Sequence, residues 1–269
     1  MSQIDLSKIE LEPILSHTSK GNQPKWQLNG KWYKADHMGY ESLAEVLVSR
    51  LLIRSNIKEF VQYEPLQIQY NNKSYVGCVS DNFKKKEEML IPLERLHRVY
   101  SGKGFAEALS KINDTKEKIL YTVNFIEDKA NLKDIGKYIT VLTELDAFFL
   151  NEDRHTNNIA VIRDENTKLF KTAPIFDNGL SLLSDINDYS INDNIYDCID
   201  KVKAKPFDID FDVQMDAAED LYGQQLKFDF NKSDVHSIIE EFKEFYDPQI
   251  IKRVEKVLLE QMRKYTIFF

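Results

Sequence analysis

Apolar and polar residues alternate in the first third of the chain in the way that is typical of paired β-strands. In residues 26–35, Asn29-Gly30 separates two short apolar runs, which predicts a hairpin with a tight turn. Residues 60–70 and 74–80 predict two further strands. Together these runs predict a small antiparallel sheet.

The spacing of apolar residues changes to steps of three and four in the helical segments. One predicted helix, residues 40–52, follows the hairpin directly. The later predicted helices cover residues 93–99, 105–112, 116–125 and 132–150, a stretch from Ser233 or Asp234 to 245, and one opened by Asp247-Pro248. We therefore predict an α+β fold of two lobes, a small antiparallel sheet in residues 1–83 and a mostly helical lobe in residues 84–269.

The chain has 269 residues and a net charge of −8, with 42% hydrophobic and 30% charged residues. This composition is ordinary for a globular protein with a buried core. The negative charge argues against direct nucleic-acid binding, because no broad basic surface attracts a phosphate backbone. No apolar run suggests a membrane span or a secretory leader, so we expect a cytoplasmic protein in which Cys78 and Cys198 are reduced.

Three oxygen-bearing side chains follow these elements at spacings that are typical of phosphoryl transfer. Asp153 and Asn158 come after the helix rich in Leu and Phe, and Asp177 follows a predicted hairpin that turns at residues 164–166. Kinases use one carboxylate to accept the proton of the substrate hydroxyl, and an amide oxygen plus a second carboxylate to hold Mg²⁺ on ATP. The alternative is that these residues only cap turns.

The residues around this triad resemble those of atypical kinases. The order Asp-Arg-His-x-x-Asn at 153–158 is similar to that of phosphatidylinositol kinases and bacterial HipA-like protein kinases, and residues 149–162 with 174–179 resemble the short HipA-like kinases. The resemblance implies an ATP- and Mg²⁺-dependent Ser/Thr protein kinase with a protein-kinase-like fold. The resemblance further implies that Asp153 is the base, that His155 supports the transition-state charge, and that Asn158 and Asp177 are the magnesium ligands.

The nucleotide-binding residues are expected in the N-terminal sheet, where a kinase pairs a strand lysine with a helix glutamate. Lys34 lies on the second strand of the hairpin, and either Glu45 or Glu41 of the next helix is in reach. We favour Glu45, because residues 45–57 resemble the corresponding helix of HipA-like kinases; a solvent-exposed pair is the alternative. Backbone groups that contact adenine are expected at the end of the last strand: Cys78, Val79 and Ser80.

A loop before the hairpin is expected to cover the phosphates. It comprises Ser19, Lys20, Gly21, Asn22 and Gln23. It lacks the glycine-rich pattern of ordinary kinases but resembles the HipA-like loop, in which a hydroxyl is autophosphorylated and the loop then leaves the nucleotide site. Ser19 and Thr18 are the candidate hydroxyls, and a solvated turn is the alternative.

Two later segments carry further expectations. Residues 180–194 occupy the place of a kinase activation segment, and their Ser and Asn content suggests mobility. Lys203 and Lys205 are candidates for contacting an acidic substrate or a phosphate. The alternative is that both side chains are simply exposed to solvent.

The function predicted from the sequence is thus protein phosphorylation, with a protein that presents a Ser or Thr hydroxyl as the substrate. A lipid or small-molecule kinase is the enzymatic alternative, because lipid kinases share Asp-Arg-His; the lack of a basic membrane-binding face counts against lipid. A noncatalytic nucleotide-binding regulator is the third alternative. HipA-like toxins usually act beside an antitoxin, so the resemblance also raises an antitoxin-like or regulatory partner.

Overall fold

The computed structural model describes residues 2–7, 14–15 and 23–269, and the chain forms two compact units. The first unit contains Met1–Asn82, Asp177–Val202 and Lys227–Phe269, and the second contains Phe83–Phe176 and Lys203–Leu226. The chain thus leaves the first unit close to the expected boundary, after residue 82, but returns to it twice. The returning segments bond to the N-terminal residues. For example, the hydroxyl of Tyr40 donates to the carbonyl of Leu182, and Ser55 forms an isolated β-bridge with Phe228.

Six strands form one sheet among the described residues of the first unit: β1 (Ser2–Asp5), β2 (Ile14–Leu15), β3 (Pro24–Leu28), β4 (Lys31–Ala35), β5 (Glu64–Tyr70) and β6 (Lys73–Asp81). Their order is β1-β5-β6-β4-β3-β2, and all neighbours are antiparallel except β1 and β5. The predicted hairpin is confirmed as β3 and β4. Its turn residues Asn29 and Gly30 have φ angles of 50° and 75°, as a type I′ turn requires.

The two faces of this sheet have different chemistry. One face forms an apolar cluster built from Leu6, Trp26, Tyr33, Ala35, Leu66 and Ile68. Lys25 and Lys34 are direct partners in the β3–β4 register and alternate with Trp26 and Tyr33, so their side chains lie on the opposite face. Helix α1 (Glu41–Ile53) packs against β4, β5 and β6.

The first part of the segment after Asp177, up to residue 185, is buried, in contrast to the mobility that its composition suggested, whereas residues 186–188 and 192–194 are exposed. Leu182 and Ser184 are buried, and the N–H of Tyr40 donates to the Ser184 carbonyl at 3.2 Å. Gly39 permits this close approach, because a Cβ atom there would lie 2.1 Å from the Ser184 oxygen. Three further helices complete the first unit: α6 (Ile195–Lys201), α8 (Lys232–Glu240) and α9 (Pro248–Lys264).

The second unit is mainly helical. Its helices are α2 (Leu93–Ser101), α3 (Phe105–Leu109), α4 (Thr115–Ala130), α5 (Ile135–Phe149) and α7 (Phe211–Tyr222). The predicted helices 93–99, 105–112, 116–125 and 132–150 are confirmed as α2 to α5, with shifted ends. Helix α5 packs against α4 and α7. A small antiparallel sheet joins β7 (Glu88–Pro92), β8 (Ala160–Asp164) and β9 (Phe170–Thr172).

Several element boundaries differ from the predicted ones. The strand predicted from residue 60 begins at Glu64, and the helix predicted to reach residue 245 ends at Glu240. Asn231, not Ser233 or Asp234, caps that helix, and Asp234 completes a capping box from the third helical position. None of the helices in the described part of the chain is long and apolar enough to cross a membrane.

Candidate active site

Lys34 of β4 and Glu45 of α1 form a buried ion pair in the first unit. Glu45 is fully buried, and its second carboxylate oxygen accepts a hydrogen bond from the backbone N–H of Asn178 at 2.9 Å. The pairing favoured by the sequence is therefore present. Glu41 has another role, because its carboxylate accepts the backbone N–H groups of residues 37–39, just before α1.

Asp177 joins this pair and adds a second lysine. Its Oδ1 atom lies 2.7 Å from the Nζ atom of Lys34, and its Oδ2 atom lies 3.3 Å from the Nζ atom of Lys25. Burial alone would raise the pKa of Asp177, but Lys25 and Lys34 outweigh it and hold the pKa well below its ordinary value. Burial would lower the pKa of Lys34, yet the carboxylates of Asp177 and Glu45 raise it well above its ordinary value.

The backbone at Asp177 is in the left-handed region, with φ at 58°. Aspartate tolerates this conformation better than most residues, and such backbone strain concentrates at functional sites. Because Asn178 is tied to Glu45, the strained residue is held next to the Lys34–Glu45 pair. The fold thus fixes a carboxylate beside two ammonium groups.

Lys25 is a site residue that the sequence analysis did not assign. Its signal was the hairpin register, which places it directly opposite Lys34 and on the same face of the sheet. Gln23, expected in the phosphate-covering loop, is buried, and its side-chain amide nitrogen has no hydrogen-bond partner within the described residues. The other predicted loop residues, Thr18, Ser19, Lys20, Gly21 and Asn22, lie outside the described residues.

The three residues expected to contact adenine lie on β6. Cys78 and Val79 lie where β6 is flanked by β5 on one side and β4 on the other, so their backbone groups lie within the sheet. Only β4 continues alongside Ser80, because the β5 pairing stops at Glu64 and Val79. In an antiparallel strand the side to which a residue's backbone groups point alternates from one residue to the next. The carbonyl of Val76 accepts the N–H of Asp36 on the β4 side, so the backbone groups of Ser80, four residues on, face β4 as well. The adenine contact of all three residues stays a prediction.

In the second unit, the predicted catalytic loop follows the end of α5. The carbonyl of Asp153 accepts the backbone N–H of His155 at 2.7 Å and the side-chain amide of Asn158 at 2.8 Å. The five-residue step therefore closes a compact turn that holds Asp153 and Asn158 together. Because its amide nitrogen is used in this bond, the amide oxygen is the group through which Asn158 can bind a cation.

A buried ion pair anchors this loop. The guanidinium of Arg154 contacts both carboxylate oxygens of Asp146 in α5, at 3.0 to 3.1 Å, and each side chain is 1% exposed. A further nitrogen of Arg154 donates to the carbonyl of Phe176 at 2.9 Å. Burial raises the pKa of Asp146 to about 6, although Arg154 opposes the shift. Arg154 therefore positions the loop, and it is buried away from solvent.

Two basic side chains lie near the carboxylate of Asp153. The Nε2 atom of His155 is 3.7 Å from Oδ2, and the Nζ atom of Lys205 is 3.6 Å from Oδ1. Lys205 follows Asp153 by more than fifty positions, and the sequence analysis left it open as a substrate or solvent contact. The structure brings it to the predicted base.

These two groups of residues fit the reactants of phosphoryl transfer. Two ammonium groups on one sheet face, beside a carboxylate, suit a polyphosphate and its magnesium ion. A carboxylate with a neighbouring amide oxygen suits a proton acceptor and a metal ligand. Each group lies within its own unit: Lys25, Lys34, Glu45 and Asp177 in the first, and Asp153, His155, Asn158 and Lys205 in the second.

Comparison with known proteins supports this class of fold. No protein-family model matches the chain, and no curated protein sequence matches it. Among solved structures, the chain is similar to the Helicobacter pylori proinflammatory kinase CtkA, with 18% sequence identity and a TM-score of 0.65 over 97% of this chain and 95% of that chain. At this identity the likeness shows the fold alone. The chain has a kinase-like α+β fold.

Proposed function

We propose that this protein is an ATP- and Mg²⁺-dependent kinase that phosphorylates Ser or Thr hydroxyls of a protein. The observation that carries the proposal is the contact of Lys34 with both Glu45 and Asp177. Kinases use a strand lysine, a helix glutamate and a carboxylate in these roles. The kinase-like fold supports the assignment.

Each unit has its own part in the proposed reaction. Lys34 and Lys25 bind the phosphates of ATP, and Glu45 keeps Lys34 in place. Asp177 and Asn158 are the ligands for Mg²⁺, which when bound neutralises the charge that develops on the phosphate oxygens. Asp153 accepts the proton of the attacking hydroxyl, and His155 contributes positive charge beside it when it is protonated.

The finer assignment follows the resemblance in the catalytic loop. We infer a HipA-like enzyme that acts in the cytoplasm on a protein substrate, with an antitoxin-like or regulatory protein as a candidate partner. Autophosphorylation at Ser19 or Thr18 belongs to the same proposal, because these hydroxyls precede the Gly-x-Gln-x-Lys run that ends at Lys25.

The direct test is phosphate transfer by the purified protein. The protein should be incubated with isotope-labelled ATP, Mg²⁺ and a dephosphorylated cell lysate, followed by mass spectrometry of labelled peptides. We expect labelled Ser or Thr sites that are absent when Mg²⁺ is chelated. Labelled lipid or metabolite without labelled protein would contradict the protein-kinase assignment, and the absence of any transfer would contradict the kinase itself.

A further inference from the structure

A cavity of about 270 Å³ lies in the second unit beside the predicted base. We name it the His155 cavity. It is lined by Ala106, Leu109, Ser110, Lys118, His155, Thr156, Lys205 and Pro206. A second cavity, of about 310 Å³, shares Lys118, Lys205 and Pro206 with it. The proposed phosphate-binding lysines, Lys25 and Lys34, line neither cavity.

The lining of the His155 cavity is basic. Lys118, Lys205 and His155 contribute nitrogen groups to the lining. None of the described lining residues carries a carboxylate, but that of Glu94 borders the cavity, because it accepts the N–H of Ala106 and the hydroxyl of Thr156 at 3.0 Å. A local cluster of cationic groups in an acidic protein favours an anionic occupant.

Lys118 is held in position, and its charge also interacts with the carboxylate of Asp208. Its Nζ atom donates to the carbonyl of Phe207 at 2.8 Å, which uses one of its three N–H groups. The same loop is fastened by a bond from the N–H of Ala204 to the carbonyl of Ile209 at 2.9 Å. Asp208 of that loop is bonded to the hydroxyl of Thr115 at 2.7 Å. The cationic groups thus lie on a braced loop and on helix α4.

The position of the cavity points to the substrate that receives the phosphate. His155 and Lys205 both line the cavity and both lie within 4 Å of the carboxylate of Asp153. In the protein substrate, a residue close in sequence to the target Ser or Thr would reach the cavity while the target hydroxyl lies at Asp153. Ala106, Leu109 and Pro206 add apolar wall, which suits the methylene groups of an acidic side chain.

We propose that the His155 cavity binds the carboxylate of an Asp or Glu residue next to the target Ser or Thr of the protein substrate. This inference rests on the kinase activity proposed above. The cavity is then a specificity site. Of its three basic residues, His155 and Lys205 also lie near the carboxylate of Asp153, so Lys118 is the one to test. The enzyme then selects hydroxyls in acidic sequence surroundings.

The test uses the full-length protein and a panel of serine peptides. Each peptide carries one Glu, Lys or Ala in turn at each of the four positions on either side of the serine. We expect kcat/KM to be higher by roughly tenfold or more for Glu than for Lys at one position, as one charge-assisted hydrogen bond permits. In Lys118→Glu this preference should be lost or reversed, through KM for the peptide and not through KM for ATP.

The matched control is Lys116→Glu, which makes the same charge change on the same helix. Lys116 is exposed, is paired with Asp220 and does not line the cavity. Lys118→Met, which removes the charge but keeps an apolar stem, serves if Lys118→Glu does not fold. An unchanged Glu preference in both Lys118 variants, or an equal effect of Lys116→Glu, would overturn the proposal.

Assays of the wild-type protein distinguish failure of this inference from failure of the proposed function. If it transfers phosphate to no peptide and to no lysate protein, the kinase assignment has failed. If it phosphorylates peptides with equal kcat/KM for Glu, Lys and Ala at every position, the kinase assignment stands and the carboxylate site is wrong. A change in KM for ATP in Lys118→Glu would show that the cavity serves the nucleotide instead.

Discussion

Lys34 and Asp177 are 143 positions apart in the chain, and the Nζ atom of Lys34 lies 2.7 Å from the Oδ1 atom of Asp177. The same ammonium group pairs with the fully buried Glu45. Lys34 therefore balances two carboxylates at once, in surroundings where an unpaired charge is costly. This arrangement ties the fold of the first unit to the proposed chemistry of nucleotide binding.

Replacing Lys34 with Ala should lower the free energy of unfolding by roughly 3–5 kcal/mol, because Glu45 would remain buried without its partner. Urea unfolding measures the change. Lys31→Ala is the control, since Lys31 lies on the same strand but pairs with Asp81 at the surface, with side chains 49% and 84% exposed. The control should change stability by less than about 1 kcal/mol. Equal losses in the two variants would contradict a structural role for the buried pair.

Asp177→Ala should remove the dependence of ATP binding on Mg²⁺. The carboxylate supplies oxygen ligands for the ion, whereas Lys25 and Lys34 attract phosphate with or without it. Isothermal titration calorimetry with ATP, in Mg²⁺ and in a chelator, measures both affinities. Asp193→Ala is the control, because Asp193 is an exposed carboxylate of the same returning segment. An unchanged Mg²⁺-dependent affinity in Asp177→Ala would rule out the metal role.

Local patterns in the sequence predicted the parts of the site that lie on one element or one turn. The Asn29-Gly30 turn fixes the β3–β4 register, and that register determines which face carries Lys34. The step from Asp153 to Asn158 could be recognised because both residues belong to one short loop. Glu45 could be chosen over Glu41 from the resemblance of its helix.

Other features depend on contacts between distant parts of the chain, which local patterns do not report. Lys205 reaches Asp153 from a separate loop, and no spacing rule connects the two. The strand Glu88–Pro92 was missed because it is short and precedes a helix; its hydrogen bonds come from β8, far along the chain. The sequence analysis also assigned the two returning segments to the helical lobe. Their place in the first unit depends on tertiary contacts, which local patterns do not show.

Asp153→Asn should lower the rate of phosphate transfer by about 10²- to 10⁴-fold, the range for loss of a general base, with ATP binding largely retained. Asparagine keeps the size of the side chain but cannot take up the proton. A steady-state assay with the substrate found in the lysate, or with the protein itself, measures the rate. Asp200→Asn, at an exposed position on helix α6, should behave like wild type. Full activity of Asp153→Asn would remove Asp153 from the proposed mechanism.

Autophosphorylation at Ser19 or Thr18 should reduce activity as it accumulates. A phosphate adds about two negative charges, and Ser19 precedes Lys25 by only six residues. It would therefore compete with ATP for Lys25 and Lys34. Intact-mass measurement after incubation with Mg²⁺ and ATP should show phosphate on the wild type and less on the variant with Ala at both positions. Equal incorporation, with none mapped to residues 16–25, would exclude the switch.

The buried side chain of Glu144 in α5 should make the free energy of unfolding depend on pH between about 4.5 and 8. It is fully buried and accepts the backbone N–H groups of Gln225 and Leu226 at 2.8 Å, with Glu219 nearby. Burial raises its pKa from 4.5 to about 8, so the folded protein keeps a proton that the unfolded chain loses. The stabilisation from this group is present below about pH 4.5 and is lost as the pH rises through 8.

Glu144→Gln tests this linkage, because its amide does not ionise. It leaves one of the two backbone N–H groups without an acceptor, which lowers stability by the same amount at every pH and does not change the slope. Between pH 5 and 8, its stability relative to wild type should increase by up to about 1.4 kcal/mol per pH unit. Urea unfolding at several pH values measures the slope, and Glu117→Gln, at an exposed position on α4, should follow the wild-type curve. A constant difference between Glu144→Gln and wild type across the range would mean that Glu144 does not retain its proton in the folded protein. Its two backbone N–H donors would then stabilise the carboxylate more strongly than burial opposes it.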